Sequence, residues 1–453
     1  HSCGMKMNLM KKKAISVSNR FRALRNALFS VSAFLACSYF QLTVLSQPAP
    51  DRSLLYQPRP DWTCFHGPDR TNKSTETGLL REWPEGGPEL VWTFSGLGRG
   101  YSTVSLADGT IFISGSTNQQ TFVFAFDLLG KLIWKKPNGI PWSTERSWAK
   151  SYNGSRSTPS YSEGLVYHLG ELGTLAALDA QSGDEIFSIE LRDQFDAEIP
   201  EYGYSESVHI EGERLYCCPA GKKAFLVCLD KHTGELLWAN KDIPGTVGFS
   251  SLIIFDHGGY RQIAGLSSNC VFGVDIKTGK LLWKFNFKNN RDNNVTDPIF
   301  HDGYIFASSG YGKGSALYRL NARGDKITPE LIWQTELMDN HHGGVILHDG
   351  NLYGAGHNSR GWFCLDFKTG KEKWNSGGKG SLSFAEEMLY CLDERGIMML
   401  MRASPEKYEV ISTFEVPEGG DGMHWAHPVV CGGRLYIRHQ DKLFAYDVQT
   451  RIN

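Results

Sequence analysis

A polar turn of the form Asp-x-x-Thr-Gly, followed by an apolar run that ends in Trp, recurs at a period of about 46 residues, while helix signals are nearly absent. These two observations predict an all-β fold, an eight-bladed β-propeller, and the chain ends add that its N-terminal strand completes the last blade. The clearest copy runs from Gly273 to Trp283. Asp275 can accept hydrogen bonds from the turn amides, Gly279 can take the positive φ of a bulged hairpin, and Leu281, Leu282 and Trp283 resume the strand. Further copies stand at Leu178 to Gly183, at Leu229 to Gly234 with Trp238, and at Leu365 to Gly370 with Trp374. Weaker ones lie at Asp127 with Trp134, at Asn321 with Trp333, and near Arg402. The anchors from Asp127 to Asp447 make seven steps over 320 residues, the spacing of four-stranded blades. The copy at Asp447 stops before its Gly and Trp, and Leu90-Val91-Trp92 carries a strand and Trp with no turn before it. Joining the two ends closes the ring and leaves no long sheet edge.

In chain order, residues 1–46 read as a signal peptide or membrane anchor. Lys11, Lys12, Lys13, Arg20, Arg22 and Arg25 precede Ala27 to Leu45, which is uncharged and mostly apolar, and a small-residue cleavage site lies before Gln47. Export to the periplasm or extracellular space follows, with or without membrane attachment. Residues 47–88 form a Pro-rich, extended lead-in whose large aromatics, Trp62 and Trp83 among them, are expected to pack on the propeller's side or bottom. Residues 89–453 hold the eight blades. Each blade has two apolar faces and must stack on its neighbours, with the repeated Trp as the wedge between them.

Lys plus Arg (47) nearly balance Asp plus Glu (49), and no basic run occurs beyond the first few dozen residues, so nucleic acid is excluded as an obvious partner. A monomer is expected. The cysteines are scattered and mostly sit inside apolar strands, which favours buried small side chains over a disulfide framework.

The Asp-x-x-Thr-Gly-(Lys/Glu)-x-x-Trp copies resemble the pyrroloquinoline-quinone (PQQ)-like repeat of eight-bladed quinoprotein-type propellers. Gly67-Pro68-Asp69-Arg70, Glu76 to Leu80, Gly203 to Ser207, Ser309 to Gly312 and Asn340 to Gly344 are similar to an exported bacterial group common in planctomycetes. The resemblance implies either a PQQ- and Ca²⁺-dependent alcohol or sugar dehydrogenase or a non-enzymatic binding propeller. For the first, Glu206 and Asp297 can be offered as calcium ligand and base, yet no insertion that would roof a cofactor occurs between the blades. The adjacent Cys217 and Cys218, a pair that quinoprotein dehydrogenases place over the quinone, here align with a blade strand.

In a propeller the first strand of each blade lines the axial funnel. Reading those entries along the chain brings Arg156, Tyr204, Glu206, Asp297, His341, His342 and His427 to one funnel as candidate ligand-binding residues. No histidine pair has a recognised zinc spacing, and His341 and His342, if on a strand, point to opposite faces, so no metal site is predicted. The favoured reading is a binding or scaffold module for a protein, glycan or small molecule at the funnel. The alternative is the quinoprotein dehydrogenase.

Overall fold

The computed structural model describes residues 61–450. The expected leader, 1–46, and the first part of the lead-in lie outside the described residues. Eight antiparallel sheets follow in chain order. Blade one is built from Ser105–Ala107, Thr110–Ser116, Thr121–Asp127 and Leu132–Pro137. Blades two to seven occupy 160–190, 209–240, 253–286, 299–335, 345–377 and 380–415. Blade eight combines Val429–Cys431, Arg434–His439 and Lys442–Asp447 with the early strand Glu89–Ser95, which runs antiparallel with Glu89 opposite Asp447 and Ser95 opposite Lys442. The two ends of the array therefore close the ring as the sequence predicts.

The repeated turn explains how blades lock. Asp127 Oδ1 accepts from the amides of Leu129 and Lys131, both at 2.9 Å, and Asp230 Oδ1 does the same for His232 and Thr233. The Trp of the preceding blade then reaches over this turn. Trp92, Trp134, Trp238 and Trp333 donate from Nε1 to the carbonyls of Leu128, Ala180, Ile276 and Phe367 at 2.9–3.2 Å, each carbonyl one residue past a turn Asp. Gly279 has φ +71°, and a Cβ there would lie 2.4 Å from the Trp238 ring. Only glycine meets both the backbone demand and the indole's close approach. Blade two has no such Trp, and Phe187 and Ile189 cover Gly234 in its place. Trp283 departs from the rule and donates to Gln262 Oε1 in its own blade at 2.7 Å. The reason lies in blade five, where Asn321 sits inside the strand Gly314–Arg323, paired with Lys326–Thr335, so this weak copy makes no Asp turn to receive the indole.

The core lies between blades. One cluster joins Tyr167, Leu175 and Ala177 of blade two to Leu215, Val227 and Leu229 of blade three, and another joins Ile263, Phe272 and Val274 of blade four to Tyr216 and Cys228 of blade three. All eight cysteines of the described residues are buried and unbridged. Cys217 and Cys218 enter different inter-blade clusters, as adjacent positions at the end of a strand must. Among the described residues no helix is long and apolar enough to cross a membrane.

The lead-in does more than pack on the side or bottom. Trp62 exchanges backbone hydrogen bonds with Leu106 of blade one at 2.8 Å, and the Thr63 carbonyl accepts from Tyr161 of blade two. Arg70 donates to Val208 O beside blade three, Asn72 donates to Leu382 O of blade seven, and Lys73–Ser74 runs parallel to that blade's first strand. Glu76 accepts the amide of Gly433 in blade eight. Residues 62–76 thus cross the propeller axis, with His66, Arg70 and Asn72 at φ +67°, +55° and +58°.

Candidate functional site

Around the axis the blades are stitched by a relay of backbone amides onto side-chain oxygens. Thr103 N donates to Thr158 Oγ1, Thr158 N to Ser207 Oγ, Ser207 N to Ser251 Oγ, and Ser251 N to Asp297 Oδ1, at 2.6–3.1 Å. In blade five a carboxylate stands where the preceding blades use a hydroxyl. Its second oxygen, Oδ2, lies 3.2 Å from His66 Nδ1 of the lead-in, out of line for a good hydrogen bond.

Above this floor of Phe65 and His66 lies a cavity of about 360 Å³. Its wall is a continuous belt of rings: Phe249 to Tyr202 (6.1 Å between centroids), Tyr202 to Tyr152 (6.3 Å), Tyr152 to Trp425 (5.2 Å), Trp425 to His342 (4.6 Å), His342 to His341 (5.2 Å) and His341 to Tyr311 (4.9 Å). Arg156 lies alongside the middle of the belt beside Tyr101, donating to Tyr202 O at 2.7 Å and to Tyr152 O. Five of the seven sequence candidates, Arg156, Asp297, His341, His342 and His427, line this cavity. Tyr204 and Glu206 do not. Tyr204 is buried in the core between blades two and three, with its hydroxyl on Pro219 O at 2.8 Å. Glu206 turns into blade three, where Oε2 accepts the Cys218 amide at 2.8 Å and Oε1 has no partner. Burial pushes its carboxyl up to about 8.

His341 and His342 sit in a bend ahead of the strand Val345–His348, not on a strand, so both rings face the cavity with their Nδ1 atoms 3.0 Å apart. Carboxylate Glu394 sets the direction of their hydrogen bonds. Burial opposes its ionisation, but the contacts of His342 at 3.2 Å and Lys379 at 3.0 Å outweigh that and hold the carboxyl at about 2. His342 Nε2 lies 3.2 Å from Glu394 without the alignment of a good hydrogen bond, and the carboxylate's charge turns the ring's N–H to that side. Burial holds both imidazoles below their usual range, so His342 Nδ1 accepts from His341 Nδ1, and His341 Nε2 accepts from the Tyr311 hydroxyl at 3.1 Å. A second chain runs to the floor. His427 Nε2 must donate to the His342 carbonyl, 2.6 Å away, and burial keeps this ring neutral, so its Nδ1 accepts from His66 Nε2 at 3.0 Å. Beyond it, His66 Nδ1 faces Asp297 Oδ2 at 3.2 Å.

Residues that sequence reasoning did not single out are His66, Tyr152, Tyr202, Tyr311, Lys379 and Glu394. One signal was legible. Asp297 breaks the run of Ser and Thr at the blade entries, and an axial carboxylate calls for a partner.

A family model described as outer membrane protein assembly factor BamB matches residues 119–376. The chain belongs to this family. A relative of this BamB-family propeller, "Uncharacterized protein RP232" of Rickettsia prowazekii, is 24% identical over 229 residues, a match that spans 47% of this chain and half of that relative's length. Crystal structures of BamB from Moraxella catarrhalis (13% identity, 81% of this chain and 99% of that one, TM-score 0.58) and of quinohemoprotein alcohol dehydrogenase from Comamonas testosteroni (13%, 87% and 81%, TM-score 0.61) share its fold. At this identity the likeness concerns the fold alone.

The quinone that the repeat brings to mind can be tested against the donors present. PQQ is a flat tricarboxylate, and the aromatic belt of the BamB-family propeller suits a flat ring. The charges do not suit it, because Lys379 is already held by Glu394 and Arg156 alone is left to meet the carboxylates. Glu206, the calcium ligand offered from sequence, lies outside the cavity, and Cys217 and Cys218 are unbridged and off its lining. The residues do not fit PQQ with Ca²⁺. Among the described residues, the imidazole and carboxylate atoms that gather within 4.8 Å are those of His348, Asp349 and Glu387, also outside the cavity.

Proposed function

We propose that this chain is an exported BamB-family propeller that binds a small molecule in its axial cavity and performs no quinone chemistry there. The observation that carries the reading is the cavity itself: about 360 Å³, floored by the chain's own lead-in, walled by aromatic rings, and bordered by polar groups whose hydrogen-bond directions are set. Small-molecule sites run from roughly 300 to 1,000 Å³ with apolar walls and a few placed polar groups, which is this description. A cavity kept open only for solubility would not need Asp297 in the hydroxyl relay or His66 across the axis. The test is a crystallographic fragment soak read together with Trp425 fluorescence. Fragments seated between Trp425 and Tyr202, lost in Trp425→Ala, support the reading; an axial cavity that takes none of a diverse set sinks it.

A second reading, protein docking, has its own observation. Leu90-Val91, Leu132-Ile133, Ile186 and Leu236-Leu237 are exposed at the same place on the outer strands of blades eight, one, two and three, whereas blade six carries Glu372-Lys373 there. Charged pairs protect an outer edge, and aliphatic ones invite a partner. Leu132→Lys with Leu236→Lys would abolish such docking and leave the cavity untouched.

A further inference from the structure

One cation on the lining has no partner of opposite charge in contact. Lys379 meets Glu394 at 3.0 Å, and Asp297 meets His66 at 3.2 Å. His341, His342, His357 and His427 are kept uncharged by burial. What remains is Arg156. Its guanidinium is spread beside Trp142 and Tyr101, 5.4 and 5.8 Å from their ring centres, and holds only carbonyls, those of Gly154, Tyr202 and Tyr152. Among the described residues no carboxylate lies within ion-pair distance of it; Glu171, which acts on it through space, spends its oxygens on Ser116, Thr121 and the Trp142 amide. A part-buried cation with no counter-charge in contact is a standing attraction for an anion.

Two further features bear on the class of that anion. The belt from Phe249 to Tyr311 offers ring faces to an apolar or C–H face. Ser205 Oγ and His357 Nδ1, both on the lining, are shielded from solvent and have no hydrogen-bond partner in the protein. One is a hydroxyl and the other an imidazole nitrogen, so together they can donate to and accept from ligand hydroxyls. An aromatic carboxylate would satisfy the rings and the charge and leave both of these unpaired.

We infer that the axial cavity takes an acidic saccharide: a pyranose ring stacked on the Tyr202–Tyr152–Trp425 wall, its carboxylate toward Arg156, its hydroxyls meeting Ser205 and His357. This rests on the reading of the cavity as a binding site and deepens it.

Titration calorimetry of the full chain with glucuronic acid, its uncharged methyl ester, glucose and benzoate tests it. Glucuronic acid is expected to bind roughly tenfold more tightly than the ester or glucose, the difference one charge-assisted hydrogen bond makes. Benzoate is expected to bind more weakly than glucuronic acid, and Arg156→Gln to erase the preference for the acid over its ester. Because Arg156 also ties two loops, a variant that fails to fold is replaced by the acid–ester comparison, which needs no mutation. Equal binding of acid and ester overturns the charge argument, and benzoate binding as tightly as glucuronic acid overturns the saccharide. If none of the four binds while other fragments still occupy the cavity, the acidic-saccharide inference fails and the binding-site reading stands. If fragments fail as well, both fall.

Discussion

Replacing Glu206 by glutamine makes the propeller more stable in alkali and alters the way its stability depends on pH. Burial raises this carboxyl from 4.5 to about 8 in the folded chain, while one oxygen holds the Cys218 amide and the other holds nothing. Between those two values the folded state keeps a proton that the unfolded state has released, so stability falls as pH rises through this window and the loss is complete above the folded value. At about 1.4 kcal/mol per pH unit, ionising Glu206 in place costs on the order of 5 kcal/mol. With roughly 2 cal/mol/K of unfolding entropy per residue, that is on the order of 6 °C in thermal midpoint for a propeller of this size. The glutamine side chain of the Glu206→Gln variant keeps an oxygen for the Cys218 amide and cannot ionise. The assay is calorimetric unfolding of both proteins at about pH 5 and about pH 9, with the variant expected to lose the Glu206 share of the drop. Wild-type and variant profiles that superimpose over this range would refute the argument that the carboxyl is buried without compensation.

Three other outcomes follow from the packing. Gly279→Ala and Gly109→Ala both place a side chain at positive φ, costing about 1 to 2 kcal/mol, but only at Gly279 does the new Cβ strike an indole, so its unfolding free energy from denaturant titration falls further by about 1 to 3 kcal/mol. Tyr204→Phe leaves Pro219 O without its donor and costs about 1 kcal/mol of stability in urea titrations; ligand affinity in the axial cavity is unchanged, because the side chain is not on its lining. His66→Ala opens the cavity floor and strips His427 Nδ1 and Asp297 of their partner, lowering stability by about 1 to 3 kcal/mol and weakening any axial ligand, whereas the Trp-to-turn bonds at the rim persist and near-ultraviolet dichroism stays native-like.

The repeat carried the fold because its information is local. An Asp that caps its own turn, a Gly that must take positive φ and a Trp on the outermost strand recur with one period, and a closed ring of eight is what that period builds. The periodic entries likewise brought Arg156, Asp297, His341, His342 and His427 to one cavity from positions far apart in the chain. Periodicity has no resolution below a residue or two, however. It placed Tyr204 and Glu206 with the others, although Tyr204 is buried in the core between blades two and three and Glu206 holds the Cys218 amide, and it set His341 and His342 on a strand where a bend lets both rings face inward.

Composition and repeat by themselves determined the all-β class, the number of blades and the pairing of the two chain ends, because each depends on turns and strands that neighbouring residues specify. Only the tertiary structure decided that a non-repeated lead-in crosses the axis, that His66 meets Asp297 there, and that Arg156 is left without a counter-charge. The lead-in contacts join residues hundreds of positions apart with no shared pattern, and the absence of an ion-pair partner for Arg156 shows only when all the distances are known together.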